Sequence, residues 1–180
     1  YDLPIHVDGA RLFDAAVALE TPAAELVKDV DTVTFCLSKS LGAPVGSVLC
    51  GSNEFVNKAR RWRKVLGGGM RQVGVFAAAG IYALENNINR LAEDHSNARR
   101  LAKGLSGISG ISIDLDKVRT NLVFFEITKG SPSEISRRLS EKGVRGGSPE
   151  ARWRFVPHYG INSDDIDHAL DVIESVLREY

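Results

Sequence analysis

Residues 31–51 read DTVTFCLSKSLGAPVGSVLCG, and that order leaves few architectures open. Two short apolar runs, 31–37 and 46–51, flank a turn made of Ser, Lys, Leu, Gly, Ala and Pro. Runs of β-branched and aromatic residues bounded by Gly and Pro are strand signals. Lys39 therefore follows a buried strand and stands against small residues. Lysines more often lie on helix faces beside other charges, so this one reads as an amine held rigidly at a strand end.

The remainder alternates in the same style. PIHVD (4–8) is a short strand ending in a carboxylate. GARLFDAAVAL follows with Leu12, Ala15, Ala16 and Leu19 at helical spacing. Thr21 and Pro22 are expected as N-cap and N1 of a short helix through AAELVKDV. Ser52 is expected to cap a helix reaching about Leu66, with Phe55, Ala59, Trp62 and Leu66 on one face and Trp62 toward the core. GGGMRQ (67–72) is a glycine-rich break, and the small residues of VGVFAAAGIYALE predict a tightly packed helix. From Ile81 the residues Leu84, Ile88, Leu91, His95, Ala98, Ala102 and Leu105 recur at steps of three and four, predicting one long amphipathic helix, interrupted at most near ENN (85–87), between two domains. Beyond Gly107 come two strands, a helix, a strand and a last helix from about Ser163 that buries Ile166, Leu170, Ile173 and Leu177. Ser131-Pro132-Ser133-Glu134 has the form of a capping box, with Gly143 closing that helix. The expected class is α/β: residues 1–86 as part of a larger β/α domain, and residues 87–180 as a small α+β domain opening on the long helix.

Composition narrows the function classes. Lys plus Arg equals Asp plus Glu at 23 each, so no net charge draws the chain to nucleic acid or to anionic membranes. The apolar runs are far shorter than a bilayer span. The basic run KARRWRK (58–64) is expected to be a solvated helix face. Cys36 and Cys50 fit no metal or redox spacing and are expected to be buried free thiols in a reducing, cytoplasmic compartment. His6-x-Asp8 lacks further ligands at a persuasive spacing, so no metal site is expected.

Four places could carry chemistry. Lys39 is either a snorkelling lysine or a Schiff-base lysine, whose amine partial burial and nearby cations would keep deprotonated. Asp8 and Arg11, in HVDGAR, lie at a strand-to-helix transition, and open α/β sheets bind ligands at the carboxyl ends of their strands. An N-cap with a neighbouring ion pair is the plainer account of the same two residues. Gly67-Gly68-Gly69 with Arg71 is a phosphate cradle or a hinge. In RWRFVPH, Arg152 and Arg154 share one strand face, and one of them could bind a carboxylate bidentately. His95 lies on an apolar helix face and is expected to pack.

Taken in order, HVDGARLFDAA, FCLSKSLGAPVGSVLCGS and GGGMRQVGVFAAAGIYALE resemble the low-specificity L-threonine aldolases. The likeness is nearly continuous from Pro4 to Glu85 and continues more loosely through TNLVFFEIT, RFVPHYGI and DDIDHAL. It implies the aspartate-aminotransferase-like fold type I, with pyridoxal 5′-phosphate (PLP) as cofactor. It also implies the C-terminal part of a PLP-binding large domain over residues 1–86, followed by the small domain. By resemblance Lys39 condenses with the cofactor aldehyde, Asp8 partners the pyridine nitrogen and Arg11 lies beside the phenolic oxygen. Arg71 belongs to the phosphate region, and Arg154 grips the substrate carboxylate. The family commonly has Gly where this chain has Ser40, and Thr where it has Pro157. The implied reaction is cleavage of L-threonine or L-allo-threonine to glycine and acetaldehyde. Rival readings are a β-eliminating lyase or aminotransferase, and a non-catalytic fragment. The chain is expected to begin about halfway through such a subunit, with the N-terminal half supplied as a separate chain and a homotetramer as the assembly.

Overall fold

Strand β1 (His6–Asp8) pairs in parallel with β2 (Thr32–Cys36), with His6 opposite Thr32 and Asp8 opposite Thr34. Parallel neighbours need a crossover, and here it carries helices α1 (Leu12–Ala18) and α2 (Ala23–Leu26). Strand β3 (Ser47–Cys50) returns antiparallel on the other side of β2, so the sheet order is β1-β2-β3. A computed structural model describes all residues from Tyr1 to Tyr180, and the chain divides into two compact units, Tyr1–Leu91 and Ala92–Tyr180.

In the first unit, Leu41, Ala43, Ala83 and Leu91 are buried, with Phe13, Val17, Leu37, Leu84 and Ile88 packed on them. Phe13 and Phe35 meet edge to face, ring centres 5.2 Å apart. Helix α3 (Asn53–Val65) starts as expected, Ser52 Oγ accepting the Phe55 N–H at 3.2 Å. It buries no residue, however. Trp62 is 62% exposed and Leu66 81%, which corrects the expectation of a core-facing Trp62: no other part of the chain covers that side of the helix. Helix α4 (Gly74–Asn86) likewise buries only Gly80 and Ala83, so its small residues are not tightly packed here.

Local structure settles three further expectations. The interruption allowed near ENN is a complete break: α4 ends at Asn86 and α5 (Leu91–Ser106) starts beyond it. Asn86 Nδ2 donates to the Tyr82 carbonyl at 2.8 Å and Asn87 Nδ2 to the Leu41 carbonyl at 2.7 Å. Amides that bond to backbone in this way compete with helix continuation. Thr21 donates its hydroxyl back to the Leu19 carbonyl, so it caps nothing, and Pro22 itself stands at the N-cap of a four-residue α2. Cys36 is half-buried and Cys50 exposed, both free, which corrects the expectation of buried thiols.

The second unit builds a separate core. Strands β4 (Ile111–Ser112), β5 (Val123–Ile127) and β6 (Arg152–Phe155) form an antiparallel sheet in that order. Helices α5, α6 (Pro132–Glu141) and α7 (Ser163–Leu177) complete it. β5 alternates strictly: Val123, Phe125 and Ile127 face inward, Phe124 and Glu126 outward. Phe125 lies 5.9 Å from Trp153 and 5.2 Å from Phe155, ring centre to ring centre. Gly104 of α5 lets α7 approach, since a Cβ there would meet Leu170 at 2.3 Å. Arg100 Nε and Asp167 Oδ1, 2.6 Å apart, join the same two helices and hold the Asp167 carboxyl below its ordinary range.

Gly143, at φ +86°, follows α6 as expected. The predicted capping box at Ser131 does not form: its hydroxyl contacts that of Ser133, and Glu134 turns to Arg137. The capping box lies instead at α7, where Asn162 Oδ1 accepts the Asp164 and Asp165 N–H groups and Asp165 accepts the Asn162 N–H. No helix is long and apolar enough to cross a membrane.

These burial differences predict unequal mutational costs. Leu105→Ala, at a fully buried position, should lower unfolding free energy by about 2–5 kcal/mol. Leu66→Ala, at an exposed one, should change it by less than about 0.5 kcal/mol. Urea unfolding followed by circular dichroism checks both.

Candidate active site

The first unit presents its chemical groups along one edge. β1 and β2 are parallel, so both finish on the same side of the sheet, with Asp8 as the last residue of β1. Gly9 continues the pairing by donating to the Thr34 carbonyl at 2.7 Å, and its own carbonyl then accepts the Leu12 N–H at 2.7 Å to start α1. The absence of a side chain at Gly9 is what permits that approach: a Cβ would lie 2.9 Å from Thr34 O and 3.2 Å from Val33 Cγ2. Asp8 is exposed, with Oδ1 accepting the Ala10 N–H at 3.2 Å and no ion pair. The plainer reading of Asp8 as the N-cap of α1 does not hold, because Arg11 occupies that position with φ −128° and ψ 41°. Arg11 Nε is buried and has no hydrogen-bond partner in the chain. An unsatisfied buried donor costs about 1–3 kcal/mol, so the position suits an acceptor brought by a ligand.

Lys39 lies three residues beyond the end of β2, in a turn fixed mainly by backbone. Leu37 N–H donates to Gly46 O at 2.9 Å, Ala43 N–H to Leu37 O at 3.0 Å and Gly42 N–H to Lys39 O at 2.9 Å. Gly42 and Gly46 take φ +77° and +111°, conformations that other residues rarely adopt. Ser40 and Leu41 are buried, and Asn87 holds the Leu41 carbonyl. The Lys39 side chain is exposed, and its amine makes no ion pair or hydrogen bond. The partial burial expected of this amine is therefore absent from the chain, although the backbone beneath it is well held. Arg71 lies in the exposed segment between α3 and α4 and makes no hydrogen bond or ion pair. Nothing in the structure brings it to Asp8, Arg11 or Lys39.

In the second unit the two arginines of β6 separate by contact. Arg152 lies over the Phe124 ring, 5.4 Å from its centre. Arg154 makes no hydrogen bond, ion pair or ring contact, and it lines a cleft of about 460 Å³ together with Arg145, Phe155, His158, Ile161 and His168. Sequence reasoning placed His158 on the strand and did not single out Arg145 or His168. Their shared cleft depends on a loop whose path no local pattern announces. His95 is buried, as expected from its apolar face. No cluster of His, Cys, Asp and Glu suited to a metal ion occurs.

A family model for the beta-eliminating lyases matches residues 1–128. The chain belongs to that family. Low-specificity L-threonine aldolase 1 of Arabidopsis thaliana is 43% identical to it over 183 residues, covering 98% of this chain and 51% of that protein. The low specificity L-threonine aldolase of Escherichia coli K12 is 40% identical over 166 residues, covering 92% of this chain and 48% of its own length. The chain thus spans about half the length of the curated relatives it matches. Among solved structures, a Listeria monocytogenes protein assigned as an L-allo-threonine aldolase superposes with TM-score 0.78 at 20% identity, over 97% of this chain and 52% of that one. Oryza sativa TDC, solved with PLP, gives 0.72 at 16% identity, over 99% and 42%. The architecture is that of a partial fold type I large domain followed by the small domain.

The Gly9 contact generates a prediction. Gly9→Ala should push the β1–α1 turn off β2 and lower unfolding free energy by about 1–3 kcal/mol. Gly74→Ala, where a Cβ meets nothing within 4 Å, should leave stability unchanged or raise it by up to about 1 kcal/mol. Thermal melts of the two variants side by side give the answer.

Proposed function

We propose that this chain supplies the lysine-bearing part of a PLP enzyme that cleaves L-threonine or L-allo-threonine reversibly to glycine and acetaldehyde. The observation that carries the reading is the common edge of two paired parallel strands, from which Asp8 and Lys39 both emerge. The identity to relatives named threonine aldolases supports the substrate.

The residues present fit the cofactor. The buried, unpartnered Arg11 Nε offers a donor to a ring oxygen. One Asp8 carboxylate oxygen is left to accept a pyridinium N–H, because only Oδ1 is engaged by the chain. Lys39 brings a flexible amine over a rigid turn of small residues, which suits attachment to an aldehyde carbon. Arg71 would add positive charge at the phosphate. When bound, PLP supplies an electron sink for the pair released from the Cα–Cβ bond. Asp8, kept as a carboxylate, would hold the ring nitrogen protonated. Arg154, unpaired in the chain, would take the α-carboxylate bidentately and so orient the bond to be broken.

The rest of the phosphate cradle and the group that stacks on the ring would come from the half of the relatives' length that this chain does not span, within a homotetramer. The two free cysteines support a reducing, cytoplasmic setting. The family description favours β-elimination as the second reading. Incubation with threonine separates the two: acetaldehyde with glycine, against ammonia with a keto acid.

The deciding experiment is borohydride reduction after addition of PLP, with the labelled peptide located by mass spectrometry. A pyridoxyl group on Lys39, lost in Lys39→Ala, is the expected result. Label on other lysines with Lys39 unmodified would overturn the assignment.

A further inference from the structure

Helix α4 grips the lysine turn on both sides of Lys39. Ahead of the lysine, the Leu37 side chain fills the place that a Gly80 side chain would take: a Cβ there would stand 2.8 Å from Leu37 Cδ1. Beyond it, Asn87 Nδ2 donates to the Leu41 carbonyl at 2.7 Å, a bond that spans 46 residues of sequence. Gly80 and the C-cap Asn87 are two helical turns apart, so they share one face of α4. Ala83, between them on the chain, is 1% exposed and belongs to the same core cluster as Leu41, Ala43 and Leu91.

The two grips differ in kind. Leu37 meets the helix by packing, which tolerates small shifts of a flexible side chain. Leu41 meets it by a directed bond, and at 2% exposure this residue has little water to turn to. Most of the remaining order in the turn is internal. The Leu37 N–H donates to Gly46 O, the Gly42 N–H to Lys39 O and the Ala43 N–H to Leu37 O. Because Lys39 O is tied to Gly42, the backbone of the lysine moves with the Leu41–Gly42 peptide. The Lys39 side chain itself is exposed and flexible, so the reach of its amine is set by the backbone beneath it.

We propose that Asn87 is a positioning residue for Lys39: by holding the Leu41 carbonyl to α4, it keeps the lysine backbone where Nζ can meet the aldehyde carbon of bound PLP. This rests on the proposed function, which makes Lys39 the residue that condenses with the cofactor. In that step the neutral amine bonds the aldehyde carbon, and the aldehyde oxygen leaves as water. Asn87 touches neither reactant and acts through Leu41. Without its donor a buried carbonyl is left unsatisfied, and the turn relieves this by rotating that carbonyl toward water, which carries Lys39 away.

The test uses the 180-residue chain with Asn87→Ala and Asn87→Asp. The aspartate keeps the shape and sets an oxygen where the donor was, which separates the hydrogen bond from packing. Asn87 is half-buried at a helix end, so both variants are expected to fold. Amide hydrogen exchange by NMR follows Gly42 and Ala43 in the turn, with Gly9, bonded to Thr34 O, as reference. Label from PLP and borohydride is counted by mass spectrometry at Lys39 and at every other lysine. In both variants Gly42 and Ala43 should exchange about tenfold faster, with Gly9 within about twofold, and the share of label on Lys39 should fall about fivefold. Asn86→Ala, which removes an amide bonded within α4 itself, should change neither readout. Equal acceleration of all three amides, unchanged exchange at Gly42, or the same effect from Asn86→Ala would overturn the positioning role. So would Asn87→Asp behaving as the unsubstituted chain, or faster exchange with Lys39 labelled as before. Lys39 left unlabelled in the unsubstituted chain overturns the proposed function itself, and the positioning role falls with it.

Discussion

The parallel pairing of β1 with β2 is the constraint on which the first unit depends. It is only three residues long, yet it aligns the carboxyl ends of both strands and so decides which edge carries the functional groups. Gly9 extends it by one hydrogen bond to Thr34 and releases the chain into α1 at once. Asp8 before that glycine and Arg11 after it are consequently fixed by the same backbone contact. On the neighbouring strand, Lys39 inherits its position from a turn whose hydrogen bonds run between Leu37, Ala43 and Gly46. The candidate site is positioned by main chain, and the Asp8 and Lys39 side chains stay exposed.

The second unit reaches its order by a different route. It packs Trp153, Phe125 and Phe155 together on its sheet, and two of its buried polar side chains bond to the backbone of one loop. Asn97 and Asn121 are the clearest cases. A buried amide without partners is costly, so each Asn specifies one loop path by making the alternatives leave its donor unsatisfied. That is how an irregular segment between β6 and α7 comes to hold His158 and Arg154 around one cleft.

Much of this was legible in the sequence wherever one periodicity or one motif sufficed. The strands, the α3 cap at Ser52, the closing Gly143 and the buried face of α7 follow from spacing alone. The family followed from three motifs in consistent order, and the relatives carry the same name. What escaped was set by competition between side-chain bonds that short-range patterns do not rank. Thr21 bonds back to the Leu19 carbonyl and leaves α2 uncapped. Glu134 prefers Arg137 to the N-terminal N–H groups, and Asn162 takes over the capping role at another helix. Arg152 and Arg154 are equivalent by alternation and become different only because Phe124 lies under one of them.

Trp62 was misjudged for another reason, and it shows how the two units differ. Amphipathic spacing says that a face seeks burial, without saying which polypeptide buries it. In the second unit the apolar faces find one another, and its exposed large apolar residues are scattered. In the first, Trp62, Val65, Leu66, Met70, Val73 and Val75 are all exposed along α3 and the start of α4. Contiguous exposure of that kind marks a surface meant for contact. Arg71 lies within the same segment. Covering it would therefore also order the backbone that carries this arginine.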